Sequence, residues 1–264
     1  MKNLRLKISL AAIILTLPAV SNLDAQSLHG MSLNGSTGLY SIPSGRIGWE
    51  QSADFGLDLG YHTILKGKNS HIPAVAMSLF KWVELSGAFD IKPYKDGTDL
   101  ILGIKLQLPL STTAIALGGN FQSLSLGGNS SAQAYSAGQL YIATTYSGRF
   151  FNMPAETSVV FGTTFMEGSS DSNIDFGMGF DLLLLPDIFN RFIHLVVDFA
   201  NFSYSVHPFG ADHWYRGVLN TGIRIDLSTI KPLSKYKAEI DVVVVDAFDS
   251  NRAFAAGFVF GIPF

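Results

Sequence analysis

Alternation with a period of two runs through most of this chain, and the helical period of 3.6 is hard to find. Phe55, Leu57, Leu59 and Tyr61 alternate with Asp54, Gly56, Asp58 and Gly60. Val83, Leu85 and Phe89 alternate with Glu84, Ser86, Ala88 and Asp90, and Leu100 to Leu108 place every second residue opposite Asp99, Gly103, Lys105 and Gln107. The pattern returns with Ile174, Phe176, Met178 and Phe180 against Asp175 and Asp181, and with Ile193, Leu195, Val197 and Phe199 against His194 and Asp198. It returns again with Ile223 and Ile225 against Arg224 and Asp226, and with Ile240, Val242 and Val244 against Glu239 and Asp241. About twelve such segments follow one another, starting near residues 53, 72, 82, 98, 112, 136, 155, 173, 192, 215, 236 and 252. Most are roughly nine to eleven residues long, the length a tilted strand needs to cross a bilayer.

The links between segments predict two unlike ends. Phe80-Lys81 and Pro109-Leu110-Ser111 are tight, and the other links on that side, at 149–154, 186–191 and 229–235, contain Pro. The two longest polar links, 123–135 and 203–213, fall on the opposite side. Short turns at one end and long loops at the other are the pattern of an outer-membrane barrel, with both chain termini on the periplasmic, short-turn side.

Composition separates a barrel in lipid from a soluble β protein. Charged residues are 15% of the chain and hydrophobic ones 47%, and mean hydropathy is +0.27. A soluble barrel, apolar inside, predicts Lys and Glu on its outer face and a charged fraction near the usual ~25%. Here the charge lies on the opposite face from the large apolar residues. No run after the N-terminus has the eighteen apolar residues of a spanning helix. The expected fold is therefore an all-β, transmembrane, antiparallel up-and-down barrel of about twelve strands, over residues 53–264.

Residues 1–25 read as a signal peptide: Lys2, Arg5 and Lys7 precede an apolar stretch at 8–20 and small residues. The chain has no cysteine, which excludes disulfides, thiol chemistry and a lipid-modified N-terminus. It has 18 Lys+Arg against 21 Asp+Glu, and removing residues 1–25 makes it more acidic, so nothing points to nucleic acid. At the other end Phe258, Phe260, Ile262 and the terminal Phe264 share one face. That ending resembles the signature by which the bacterial barrel-assembly machinery recognises its substrates. Outer-membrane lipid and that machinery are the partners expected.

Residues 26–52 have no period and are dense in Gly, Ser and Pro, an irregular segment that either enters the lumen or tucks into the barrel mouth. Within it Thr37-Gly38-Leu39 is followed by Pro43-Ser44. This stretch resembles the TGL-x-x-x-P-[ST]-A opening of the YjbH-like outer-membrane proteins, barrels associated with exopolysaccharide production or secretion. Gly45 stands where that family usually has Ala, and Arg46-Ile47-Gly48-Trp49-Glu50 replaces its next motif.

Chemistry is absent at the level of motifs. There is no GxSxG, P-loop or dinucleotide fingerprint, and no His pair has metal spacing, so neither an enzyme nor a cofactor is expected. What remains is the lumen, for which the candidates are Asp54, Asp58, Glu84, Lys105, Asp175, Asp181, His194, Asp198, Arg216, Arg224, Asp226, Glu239 and Asp241. Two readings stand side by side. Either these charges pair across a closed interior, giving a structural or surface-interaction barrel. Or they line a passive channel or export-associated barrel for small polar solutes or saccharides, in which charged side chains set selectivity.

Overall fold

A computed structural model describes residues 30–50, 53–65, 69–92, 97–108, 113–124, 135–167, 172–201, 217–250 and 252–264. The signal-peptide reading, the 109–111 turn, the bodies of the two long polar links and Arg216 lie outside them. Twelve strands appear in chain order: β1 (Phe55–Leu65), β2 (Ser70–Leu79), β3 (Val83–Ile91), β4 (Thr98–Leu108), β5 (Thr113–Leu124), β6 (Tyr135–Phe150), β7 (Met153–Met166), β8 (Ser172–Leu183), β9 (Ile193–Ala200), β10 (Val218–Asp226), β11 (Lys237–Val245) and β12 (Ala253–Pro263). Each pairs antiparallel with its sequence neighbours, and β12 returns to β1 to close the barrel. The seam runs from Gly56 opposite Pro263 to Leu65 opposite Phe254, and Phe264 N–H donates to the Phe55 carbonyl at 3.0 Å. Closure leaves no edge strand among the described residues, so the ladders run from strand to strand all the way round, as hydrocarbon requires.

Alternation dictates which residues meet lipid. Leu59, Leu102, Ile104, Leu117, Leu140, Phe161 and Phe258 are exposed on the outside, Leu140 by 61%. Asp58, Glu84, Lys105, Asp181, Asp198 and Arg224 are buried within. Phe258, Phe260, Ile262 and Phe264 share the outer face as expected, and Phe260 stacks on Tyr236 with ring centroids 5.7 Å apart. A lysine replacing Leu102, half-exposed near the middle of β4, should destabilise the folded barrel by about 2–4 kcal/mol. Urea unfolding in liposomes measures this, and an unchanged midpoint would contradict a lipid-facing surface.

Strand lengths differ from expectation on one side. β6 has 16 residues and β7 has 14, so the expected 149–154 link shrinks to a two-residue turn, Phe151-Asn152. Pro154 misled the sequence reading. It pairs opposite Arg149 beyond the β7–β8 ladder, which begins at Ala155, so its missing N–H costs no bond there. Phe151 and Asn152 have φ of 47° and 65°, and Phe80 and Lys81 have 54° and 66°. These are the paired positive values that match a tight hairpin to sheet twist, here without glycine. The end of the barrel holding these turns, where the seam starts beside Phe55 and Phe264, is the turn end; the opposite end is the loop end.

Candidate functional site

Residues 30–50 lie inside the barrel. Their contacts reach the inner wall on nearly every side, which only a segment within the lumen can do. Thr37 donates from N and Oγ1 to Glu84 on β3, at 2.9 and 2.5 Å. Ser41 donates from N and Oγ to Asp198 on β9, at 2.7 and 2.8 Å. Gly45 N–H donates to Thr145 on β6 at 2.8 Å, Ile47 N–H to Gln107 on β4 at 2.9 Å, and the Trp49 indole to Asp58 on β1 at 2.8 Å. Every residue from 30 to 49 except Ser41 is buried.

Local sequence explains the shape of this plug. Leu39 N–H bonds the Ile42 carbonyl at 3.0 Å and Ser44 N–H the Thr37 carbonyl at 3.0 Å, so 37–44 closes on itself, with Gly38 bridged to Pro43. A Cβ on Gly38 would stand 2.2 Å from the Ile42 carbonyl oxygen. Gly45 has an equally plain reason: a Cβ there would lie 2.4 Å from the Ala114 carbonyl oxygen. Ala at this position would strike the barrel wall.

Two apolar patches on the inner wall receive the plug, and the sequence pattern did not signal them. Met31, Leu33 and Tyr40 pack among Ile64, Ile72, Ile101, Val243, Val245 and Val259. Leu39 and Ile42 pack among Tyr141, Ala143, Val160, Val196 and Ala200.

The charged residues form separate buried groups. Arg224 donates from Nε and Nη2 to both oxygens of Asp241, at 2.9 and 3.1 Å, and from Nη1 to Asp181 at 3.1 Å. Asp181 also meets His194 at 3.1 Å, and Glu239 lies 3.7 Å from Arg224 Nε. Lys105 pairs with Glu84 at 3.0 Å and donates to the Thr37 carbonyl at 2.9 Å. Asp175 accepts from Thr164 and from Gln139 at 3.1 Å.

Two candidates sit at the rim instead. Asp54 precedes β1 with its side chain 69% exposed, 3.4 Å from Lys81. Asp226 ends β10 and turns to cap the 3-10 turn Leu227–Thr229, accepting from Ser228 N–H at 2.8 Å. Both keep inward parity, but the strand ends before it can hold them over the lumen.

Sequence reasoning missed several interior residues. Lys237 meets Asp58 at 2.6 Å, and its parity with Glu239 and Asp241 could have revealed it. Arg46 pairs with Glu156 at 2.9 Å and with Glu50. Neither Arg46 nor Glu50 lies in a periodic segment, so nothing local signals their place.

No protein-family model matches this chain, and no curated protein sequence matches it. Solved structures do resemble it in fold. The KdgM porin superposes with a TM-score of 0.50 at 8% identity, over 78% of this chain and 99% of that one. The outer-membrane protein Omp33 of Acinetobacter baumannii gives 0.44 at 12% identity, over 80% and 98%. The COG4313 outer-membrane channel of Pseudomonas putida F1 gives 0.46 at 11%, over 85% and 97%. The fold of this chain is that of a twelve-stranded outer-membrane barrel.

Proposed function

We propose that this chain is an outer-membrane channel for small polar solutes or saccharides, exported by its signal peptide and held shut by residues 30–50. One observation carries the reading. The wall's carboxylates do not only pair with wall cations; Glu84 and Asp198 hold hydroxyls and backbone N–H groups of an irregular chain. That is the chemistry by which the same wall would hold a hydroxylated solute once the plug moved aside. The similarity in fold to the KdgM porin, also solved in complex with disordered oligogalacturonate, supports a saccharide. The YjbH-like resemblance supports one tied to an exopolysaccharide, and its motif residues, Thr37 to Ser44, are those that close the plug's turn.

A second reading has its own observation. The apolar seats under Met31, Leu33, Tyr40, Leu39 and Ile42 favour a plug that never leaves, and so a closed scaffold. Single-channel recording in planar bilayers separates the two. The full chain should open rarely, and a variant lacking residues 30–50 should conduct steadily. Silence from both would retire the channel and leave the scaffold.

A further inference from the structure

One level toward the loop end from the bonds between Glu84 and Thr37, the wall of β3 to β7 carries a polar row that, among the described residues, no hydrogen bond of the plug and no ion pair uses. Register places Glu84, Lys105, Gly118, Tyr141, Gly162 and Asp175 side by side across β3 to β8. This is the level at which Glu84 and Lys105 grip Thr37. One step toward the loop end, Ser86, Gly103, Asn120, Gln139 and Thr164 form the next level, strand by strand. Asn120 donates to Gln139 at 2.8 Å, and Gln139 donates to Thr164 and Asp175 at 3.1 Å each.

Two features distinguish this row from a strand-binding network that is complete in itself. Asn120 Oδ1 and, one level on, Gln122 Nε2 have no hydrogen-bond partner, on side chains 5% and 2% exposed. An unmet amide group in that position costs about 1–3 kcal/mol. The surrounding wall is also open where its neighbours are sealed: Ser86, Gly103, Gly118, Gly162 and Thr164 face inward and are part-exposed. Three are glycines, and the Tyr141 side chain lies over Gly118 and against Gly162, in the space a side chain there would have taken. At Gly103 the Ser86 hydroxyl and Asn120 Oδ1 converge, lying 2.5 and 2.7 Å from where a Cβ would stand.

We propose that this row is a binding subsite for a neutral saccharide, lying beside the plug. The assignment rests on the channel reading. Unmet acceptor and donor atoms, flanked by hydroxyls that do both, suit a ligand whose adjacent hydroxyls also donate and accept. Asp175 lies in the site, and Asp90, Asp99 and Asp198 are buried in the same half of the lumen. Lys92 is already paired with Asp99 at 2.6 Å. A uronate chain would meet like charge there, so the selected class is uncharged.

Isothermal titration calorimetry on the detergent-solubilised full chain tests this with maltotriose, cellotriose and trigalacturonate. A neutral trisaccharide should bind, with trigalacturonate at least about tenfold weaker. The Asn120→Ala/Gln139→Ala double variant should lose about tenfold in affinity for the neutral ligand, the loss of one or two net hydrogen bonds. Heat-modifiable migration checks its folding; should it fail, Ser86→Ala and Gln122→Ala carry the same expectation from part-exposed or unbonded positions. No neutral binding, binding indifferent to these variants, or tighter trigalacturonate binding would overturn the subsite. Because calorimetry needs no current, binding by a chain that never conducts keeps the subsite and removes the channel. Conduction without binding does the reverse.

Discussion

An Arg224→Met variant should lose about 3–5 kcal/mol of folding stability. Arg224 is 2% exposed and bonds Asp241 twice and Asp181 once. Glu239 and His194 complete the group around it. A buried cation in this setting is not strongly stabilising by itself, because desolvation offsets most of its attraction. Removing it is another matter. Methionine fills comparable volume but leaves Asp181, Asp241 and Glu239 grouped with only the His194 ring beside them. The loss comes from that stranded charge. Asp241→Asn, which keeps an acceptor for the guanidinium and removes one anion, should cost clearly less. Denaturant titration of liposome-refolded protein, followed by tryptophan fluorescence, reads both. A loss within about 1 kcal/mol for Arg224→Met would mean that water reaches the group and screens it.

That expectation also corrects a view of the lumen that charge counting encourages. The excess of carboxylates suggests free anions lining a bore, but most are engaged. Asp181 and Asp241 serve Arg224, Asp58 serves Lys237 and Trp49, and Glu84 and Asp198 hold the plug. Neutralising Asp181 should therefore act on stability, and neutralising Asp198 on the plug, before either acts on ion preference.

The barrel was legible because lipid and lumen impose opposite demands on successive residues, so a strand such as Leu100 to Leu108 declares both faces at once. Legibility failed where a neighbour outside the segment decides the face. Ile64, Ile72, Ile101 and Val243 are inward and apolar only because Met31, Leu33 and Tyr40 rest on them. β6 and β7 ran long because Pro154 falls past the end of one ladder, which the sequence does not reveal. The polar row escaped notice for a further reason: Asn120, Gln139 and Thr164 are uncharged, and they meet only through register.

Gly38→Val should open the lumen while leaving the barrel folded. The atoms that a Cβ would meet are the Ile42 carbonyl oxygen at 2.2 Å and Pro43 Cα at 2.8 Å. Both are backbone, so no rotamer change relieves the contact and the 37–44 turn must unfold or shift. With it go the two bonds from Thr37 to Glu84 and the two from Ser41 to Asp198. The strand ladders contribute nothing to that turn and remain intact. Overpacking of this kind costs about 1–3 kcal/mol, which raises the open population about fivefold to 150-fold. Gly138→Val is the matched control, since a Cβ on that β6 glycine meets nothing within 4 Å. Open probability in planar bilayers should rise for Gly38→Val toward that of the chain lacking residues 30–50, with unchanged heat-modifiable migration, and stay at the parent value for Gly138→Val. If Gly38→Val folds and stays as silent as the parent while the deletion conducts, the apolar seats hold the plug without its turn. Met31, Leu33 and Tyr40 then become the residues whose removal opens the bore.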